Sequence, residues 1–296
     1  MTPSLLPLFR YVGGKRWLVP ALRTGIRAVL SRTPDSAFVE PFAGGAAMAA
    51  AVAWQRTTLC DRASGLTDLY CAVRDDPDGV ISASAKVCDD FPVTEAGYYA
   101  ARDAWNTRSP SPVRQAALLL YLMARGFNGL YRVNAVGSWN VPCGRRADHS
   151  LIAASLVDPD LLREWSRVTT EWTIVCADFA RPISDARRGD VIFADPPYAK
   201  MSASSFVGYS GVFGPGDQIR LAVALSDARD RGAVIVHTNA DDPDGVVRDL
   251  YRGRGFHVVP TAELRCVSRD GEGRGRSRCL LVVSDLRIVS AKRVAA

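Results

Sequence analysis

The chain has 296 residues, enough for one large domain or two with a sizeable core. Hydrophobic residues make up 48% and charged residues 23%, a globular balance that excludes a disordered or fibrous chain. The formal charge of +6 favours a polyanionic partner. Its basic residues are nearly all Arg, with Lys only at Lys15, Lys86, Lys200 and Lys292, and a GC-rich codon bias produces the same excess.

In chain order, residues 37–40 read as a strand end. Glu40-Pro41-Phe42-Ala43-Gly44-Gly45-Ala46-Ala47 then leads into an Ala-rich helix. Glycines at a strand-to-helix turn permit positive φ and close backbone approach to a nucleotide-like ligand. No phosphate-binding Lys-Ser/Thr follows, and G-x-G-x-x-G spacing is absent, which argues against an ATPase and a dinucleotide site. A turn that simply needs glycine stays open as the plainer explanation. The next strand, residues 57–60, ends at Asp61, an acid placed to accept hydrogen bonds from ribose hydroxyls or simply to meet solvent.

From about 75 to 167 the texture changes. A helix is expected around 94–108 and an apolar one over 113–125, followed by a Gly/Asn-rich, hairpin-like stretch to Gly144. Residues 75–167 are therefore set apart as an inserted, mainly helical domain, and residues 1–74 with 168–296 as the other domain. The apolar run at 116–124 is far too short to span a membrane.

Val191-Ile192-Phe193-Ala194 reads as a buried strand ending in Asp195-Pro196-Pro197-Tyr198. That end of a strand is where ligands bind in an open α/β sheet. Each proline fixes its own φ and biases the residue before it away from helix, so the loop is stiff. It can aim a carboxylate and backbone carbonyls at one point, beside an aromatic ring that stacks on an unstacked base. Two acceptors on the hydrogens of an amine conjugated to a purine favour a pyramidal nitrogen with an available lone pair. An ordinary turn stays open here also, since Asp and Pro are turn formers. Beyond it, residues 201–216 form a Ser/Gly-rich loop able to close over a flipped base. A helix over 215–231, a strand over 233–237, a helix over 243–254 and a strand over 279–284 complete a βα rhythm. The rhythm implies a doubly wound, mostly parallel sheet. Residues 269–278 interleave Arg and Gly, as either a solvated loop or a phosphate contact.

Seven scattered cysteines without a C-x-x-C pair, and only three histidines, give no zinc pattern. No metal is expected, and the thiols read as reduced and mostly buried, in a cytoplasmic protein. Residues 1–20 lack a charged segment followed by a clean apolar core, so no signal peptide is expected.

Together these pieces resemble the Dam-like DNA adenine-N6 methyltransferases of bacteria and their phages. The resemblance runs from about residue 9 to 283, with six motifs in the family's order. It implies an α/β, Rossmann-like class I methyltransferase sheet with one antiparallel strand near the C-terminus. It also implies S-adenosyl-L-methionine as cofactor and double-stranded DNA as partner, for a monomer or weak dimer, with the target base flipped out. Arg10-Tyr11-Val12-Gly13-Gly14-Lys15 looks like the family's N-terminal segment, with Tyr11 and Lys15 enclosing the cofactor and Arg10 reaching towards DNA. Glu40, Pro41, Phe42, Ala43, Gly44, Gly45 and Ala46 are similar to its methionine-binding turn. Asp61 is similar to its ribose acid, and Asp178 and Phe179 to its contacts with the cofactor's adenine. Asp195, Pro196, Pro197 and Tyr198 resemble its catalytic loop, with Asp195 also at the cofactor. Residues 127–142 resemble its DNA-reading hairpin, with Asn128, Arg132, Asn134, Val136 and Asn140 towards DNA, and Lys200 joins them from the loop after Tyr198. The basic segment 265–274 resembles one near the family's C-terminus.

Three alternatives remain in view. The same loop chemistry serves cytosine N4, or an amine in RNA or in a protein glutamine, although Asp at the first loop position resembles the adenine enzymes. Pro142-Cys143 superficially matches a cytosine-C5 methyltransferase nucleophile. A catalytically silent nucleic-acid-binding relative would keep the fold. Relatives that read GATC resemble this tract but carry Arg immediately before the hairpin glycine, where this chain has Val136 ahead of Gly137. Val cannot make the forked contact to guanine, so the expected target is a different or shorter adenine-containing sequence, unless Arg10 or Lys200 restores the contact.

Overall fold

A computed structural model describes residues 4–145, 150–151, 156, 158–198, 213–264 and 276–290. Lys200, residues 201–212 and the whole of the basic segment 265–274, Cys266 included, lie outside the described residues. Seven strands form one sheet. They are β1 Phe38–Glu40, β2 Thr57–Asp61, β3 Thr173–Cys176, β4 Val191–Ala194, β5 Val234–Ala240, β6 His257–Leu264 and β7 Arg276–Val283. The spatial order is β3-β2-β1-β4-β5-β7-β6. All pairs from β3 to β5 are parallel, and β7 runs antiparallel to both β5 and β6. The expected mostly parallel sheet with one reversed strand is what forms.

This order positions the site. The chain starts in the middle at β1, steps outward to β2 and β3, then returns to lay β4 on the other side of β1. The connections after β1 and β4 therefore depart on either side of a topological switch point, and the crevice between them is where such sheets bind ligands. Both strands are buried throughout. Successive side chains face opposite layers. Phe38 and Phe193 join one core with Leu59, and Val39 and Ile192 join the other with Ile235, Leu221 and Leu225.

Ten α-helices are described: α1 Val19–Leu30, α2 Ala47–Val52, α3 Ser64–Asp75, α4 Pro77–Asp90, α5 Glu95–Asn106, α6 Pro112–Arg125, α7 Pro159–Thr169, α8 Ala180–Asp185, α9 Pro215–Asp230 and α10 Val246–Arg252. The helices of the insertion start where the side chains of Asp76, Thr94, Ser111 and Asp158 accept N–H groups of the first turn. Such caps are each worth about 1 kcal/mol. Tyr98, Leu118 and Trp165 of these helices share one core with Phe38 and Leu59 of the sheet.

Some details differ from the sequence reading. α4 lies where no helix is marked, because it buries only Val80, Ser84 and Val87, a thin apolar signal. α10 is shorter than 243–254: Gly245 adopts φ +72°, and the Asp242 carboxylate caps the N–H groups of Val246 and Val247. Of the six described cysteines only Cys60 and Cys279 are buried, and Cys176 on edge strand β3 is exposed. No described helix is long and apolar enough to cross a membrane.

Candidate active site

The turn after β1, the end of β2 and the loop after β4 meet the segment 11–15 around a cavity of about 330 Å³. That is the size of a small-molecule site. Every residue expected at the cofactor or in the catalytic loop lines it except Ala46 and Asp178. Ala46 is fully buried one layer below, as the left-handed cap of α2.

The turn is held by acids rather than by phosphate-type amides. Glu40, buried at the end of β1, accepts the Ala49 N–H at 2.8 Å and so caps α2. Burial pushes its carboxyl well above the ordinary range, against that hydrogen bond. Asp61 accepts the N–H of Gly44 at 2.9 Å and of Ala63 at 2.9 Å, tying β2 to the turn. Its pKa is also raised by burial, in spite of these bonds. Gly44 sits at φ +45°, and a Cβ there would stand 2.8 Å from the Tyr11 ring. A Cβ on Gly45 would stand 2.6 Å from Tyr11 Cβ. The glycines thus make room for a side chain of the protein itself, an occupant not visible in the motif. Tyr70 completes the turn by donating to the Gly44 carbonyl at 2.8 Å.

Asp195 is gripped on both oxygens. Thr238 of β5 donates to Oδ1 at 2.6 Å, and Lys15 Nζ lies 3.1 Å from Oδ2. The Lys15 side chain is 4% exposed and that of Asp195 18%. Lys15 also donates to the Gly13 carbonyl at 2.6 Å and sits 5.0 Å from the Tyr198 ring centroid. Behind Asp195, β5 carries a buried polar row. His237 Nδ1 is 3.0 Å from the Ala194 carbonyl, and Asn239 donates to Gln218, which donates to the Tyr251 hydroxyl. Burial pushes the His237 imidazole down to about 4, so it is neutral.

On the far side of the cavity Phe42, Phe179 and Phe213 form an aromatic trio, with centroids 5.2–6.0 Å apart. Asp178 turns away and pairs with Arg220 at 2.6 and 2.7 Å, while the Arg220 guanidinium lies 4.5 Å from the Phe179 ring. Partial burial raises the Asp178 carboxyl, but the Ala180 N–H and Arg220 hold it below its ordinary value overall.

Residues 11–265 match the family of D12 class N6 adenine-specific DNA methyltransferases. The chain belongs to that family. It is 31% identical over 271 residues to a DNA N-6-adenine-methyltransferase of Escherichia phage P1, covering 90% of this chain and 34% of that protein. It therefore spans about a third of the phage relative. A type II methyltransferase of Lactococcus lactis subsp. cremoris is 28% identical over 280 residues, 92% of this chain and 93% of that one. A DNA adenine methylase of Haemophilus influenzae is 29% identical over 286 residues, 95% of this chain and 94% of that one.

In this D12 class chain the described residues expected to face DNA lie in a second place, next to the first, and Lys200 lies outside the described residues. The Arg10 backbone carbonyl would stand 3.2 Å from a Cβ on Gly129, so the segment that closes the cavity also abuts the hairpin. Asn128 adopts φ +55° in the short 3-10 turn before it. The hairpin tip is an Asn turn: Asn134 Oδ1 accepts the N–H groups of Val136 at 3.1 Å and Ser138 at 2.9 Å. Val136 stands 84% exposed at that tip. Arg132 donates to the Asn140 side chain and carbonyl at 2.7 and 2.9 Å, bracing the two sides. Cys143 is not a lining residue of the cavity, and burial pushes its thiol up.

Among the site residues that sequence reasoning did not assign are Thr238, which holds Asp195, and Phe213, Arg62, Met48 and Phe193, which line the cavity. Thr238 carries a faint signal: a hydroxyl in an apolar strand that neighbours β4. Phe213 carries none, since it stands at the end of a Ser/Gly-rich stretch.

Proposed function

We propose that this chain methylates N6 of adenine in double-stranded DNA, using S-adenosyl-L-methionine as donor and acting on a base turned out of the duplex. The observation that carries the reading is the convergence of Asp195, Tyr198, Asp61 and the glycine turn on one cavity. The residues present fit the donor: Asp61 offers carboxylate lone pairs to ribose hydroxyls, and Phe42, Phe179 and Phe213 make an apolar slot for a purine ring. When bound, the donor supplies a sulfonium methyl that is electrophilic without a metal or a covalent enzyme intermediate.

The protein's part is to hold the acceptor. A carboxylate has about four lone-pair sites. Thr238 and Lys15 each engage one oxygen of Asp195 and so aim the carboxylate, an acceptor for the hydrogens of an exocyclic amine. The Pro196 carbonyl is the natural second acceptor, and the Tyr198 ring stacks on the base. Asp195 also stands to receive the proton released once the amine nitrogen becomes cationic. Because that proton is acidic, positioning matters more than base strength. Flipping the base costs a few kcal/mol, offset by stacking and by these hydrogen bonds.

In this account residues 75–167 act as the target-recognition domain, with the hairpin facing the DNA, and Arg132 braces the hairpin. The direct test combines calorimetric binding of S-adenosyl-L-methionine with transfer of a labelled methyl group to duplex DNA, to single strands and to RNA. The expected result is cofactor binding and label in duplex DNA. Cofactor binding without transfer to DNA, or transfer confined to RNA, would overturn it.

A further inference from the structure

Immediately after α5 the chain does something costly. Thr107 caps the helix, and Arg108 then enters the left-handed region at φ +62°, closing the end with its N–H on the Trp105 carbonyl at 3.2 Å. That position after a helix normally takes Gly, or else Asn, because a Cβ is disfavoured there. A bulky residue kept in a disfavoured conformation points to a use for its side chain.

The side chain's surroundings say what the use is. The Arg108 guanidinium lies 5.2 Å from the Trp105 ring, and its terminal nitrogen is 3.8 Å from where a Cβ of Gly137 would stand. It therefore rests against the tip of the hairpin, one residue from exposed Val136. The guanidinium forms no hydrogen bond and no ion pair among the described residues, although its charge reaches the Asp68 carboxyl, whose pKa burial raises and Arg108 lowers. Its donors remain open in a planar fork.

Arg108 also has a fixed relation to the hairpin. Asn106, two residues earlier, accepts the Trp139 N–H at 2.7 Å and donates to the Trp139 carbonyl at 3.3 Å. The Trp139 indole is buried, donates to the Tyr98 hydroxyl of α5 at 3.0 Å and meets the Trp105 ring edge-on at 5.9 Å. The end of α5 and the returning side of the hairpin thus form one unit, and Arg108 is presented at its surface.

We propose that Arg108 is a specificity-determining residue, which reads a guanine edge in the target sequence from beside the hairpin tip. Val136 has no donor there, and Arg108 supplies the fork from the neighbouring helix end. The inference rests on the reading of the hairpin as the DNA-facing surface. A forked Arg contact to guanine O6 and N7 discriminates by about 10- to 100-fold, whereas a phosphate contact carries no sequence information.

The test uses the full chain as wild type and as Arg108→Ala, Arg108→Lys and Arg108→Gly, with methylated sites mapped on a DNA pool and rates measured on matched duplexes. The wild type is expected to require a guanine at one position. Ala and Lys should relax that requirement by about 10- to 100-fold, Lys because it keeps the charge but loses the fork. Gly should relax it equally while melting no lower than wild type, since it suits the left-handed backbone. Unchanged site preference in all three variants would overturn the proposal. So would slowing that is uniform across sequences with a shallower salt dependence, the mark of a phosphate contact. A wild type that methylates no DNA at all would instead remove the reading on which the proposal rests.

Discussion

The carboxyl edge of the sheet and the hairpin at 126–144 are built in opposite ways. At the sheet edge each functional group is fixed from behind by buried structure: Asp195 by Thr238 and Lys15, the glycine turn by Asp61, Glu40 and Tyr11. The hairpin forms no regular ladder: it has isolated bridges at Gly126–Cys143 and Val133–Trp139, a buried anchor at Trp139, and an exposed tip where the Asn134 side chain accepts two N–H groups. On the proposed function, chemistry that needs a carboxylate aimed to a fraction of an ångström would sit on rigid strands, and reading a sequence would be left to a ribbon that varies cheaply. Substitutions behind Asp195 should therefore change the rate on every DNA, and substitutions at the hairpin should change which DNA is used.

The largest effect is expected at Asp195 itself. Asp195→Ala should lower methyl transfer by about a thousandfold or more while cofactor affinity stays within a few-fold, since its proposed partner is the base amine. Equal loss of cofactor binding, read by calorimetry, would place the carboxylate at the donor instead.

Next comes the floor of the site. His237 is neutral in the fold with its imidazole pushed down to about 4, and an unfolded histidine titrates near 6.5. Above pH 6.5 neither state takes the proton, and as pH falls towards 4 only the unfolded chain does. Stability should therefore drop by up to about 3 kcal/mol over that window. Denaturant midpoints should show the drop shrinking in His237→Gln, and identical pH profiles would remove the assignment. Thr238→Val keeps shape but withdraws a hydrogen bond from a charged group, which predicts a rate about 10- to 100-fold lower at saturating cofactor. A rate unchanged on all duplexes would show that the Thr238 hydroxyl is not needed to aim Asp195.

At the hairpin the effects are smaller and of another kind. Asn134→Ala releases two backbone N–H groups at the tip, at about 1 kcal/mol. It should alter the preference among flanking sequences more than the maximal rate, which a panel of duplexes would show. Smallest of all is Cys143→Ser. Burial pushes the Cys143 thiol up, which lowers its thiolate fraction and disfavours it as a nucleophile. The variant should keep wild-type activity within about two-fold, and a folded, inactive variant would revive the cysteine mechanism.

Legibility in the sequence follows the same division. β1, β2 and β4 are short, apolar and bounded by Pro, Gly or Asp, so strand, turn and site residue are readable together. Glu40, Asp61 and Asp195 all reach the cavity that their positions at strand ends imply. Their partners are not readable, because they arrive across the sheet or from the N-terminus: Thr238 lies 43 residues after Asp195 in the chain. The same limit hides the partner of Asp178, whose carboxylate pairs with Arg220 from a helix 42 residues further along the chain. In the hairpin, Gly and Asn mark the turn, whereas the packing of Trp139 against Trp105 and the nearness of Arg108 depend on tertiary contacts that no local pattern encodes.

The central claim is that Asp195 and its loop present the exocyclic amine of adenine to a methyl donor. It is tested most directly by incubating duplex DNA with labelled S-adenosyl-L-methionine and the full chain, as wild type and as Asp195→Ala, then hydrolysing the DNA and identifying the labelled nucleoside by mass spectrometry. The account predicts N6-methyldeoxyadenosine from the wild type and almost none from the variant. Label on cytosine, or equal labelling of adenine by both proteins, would contradict it.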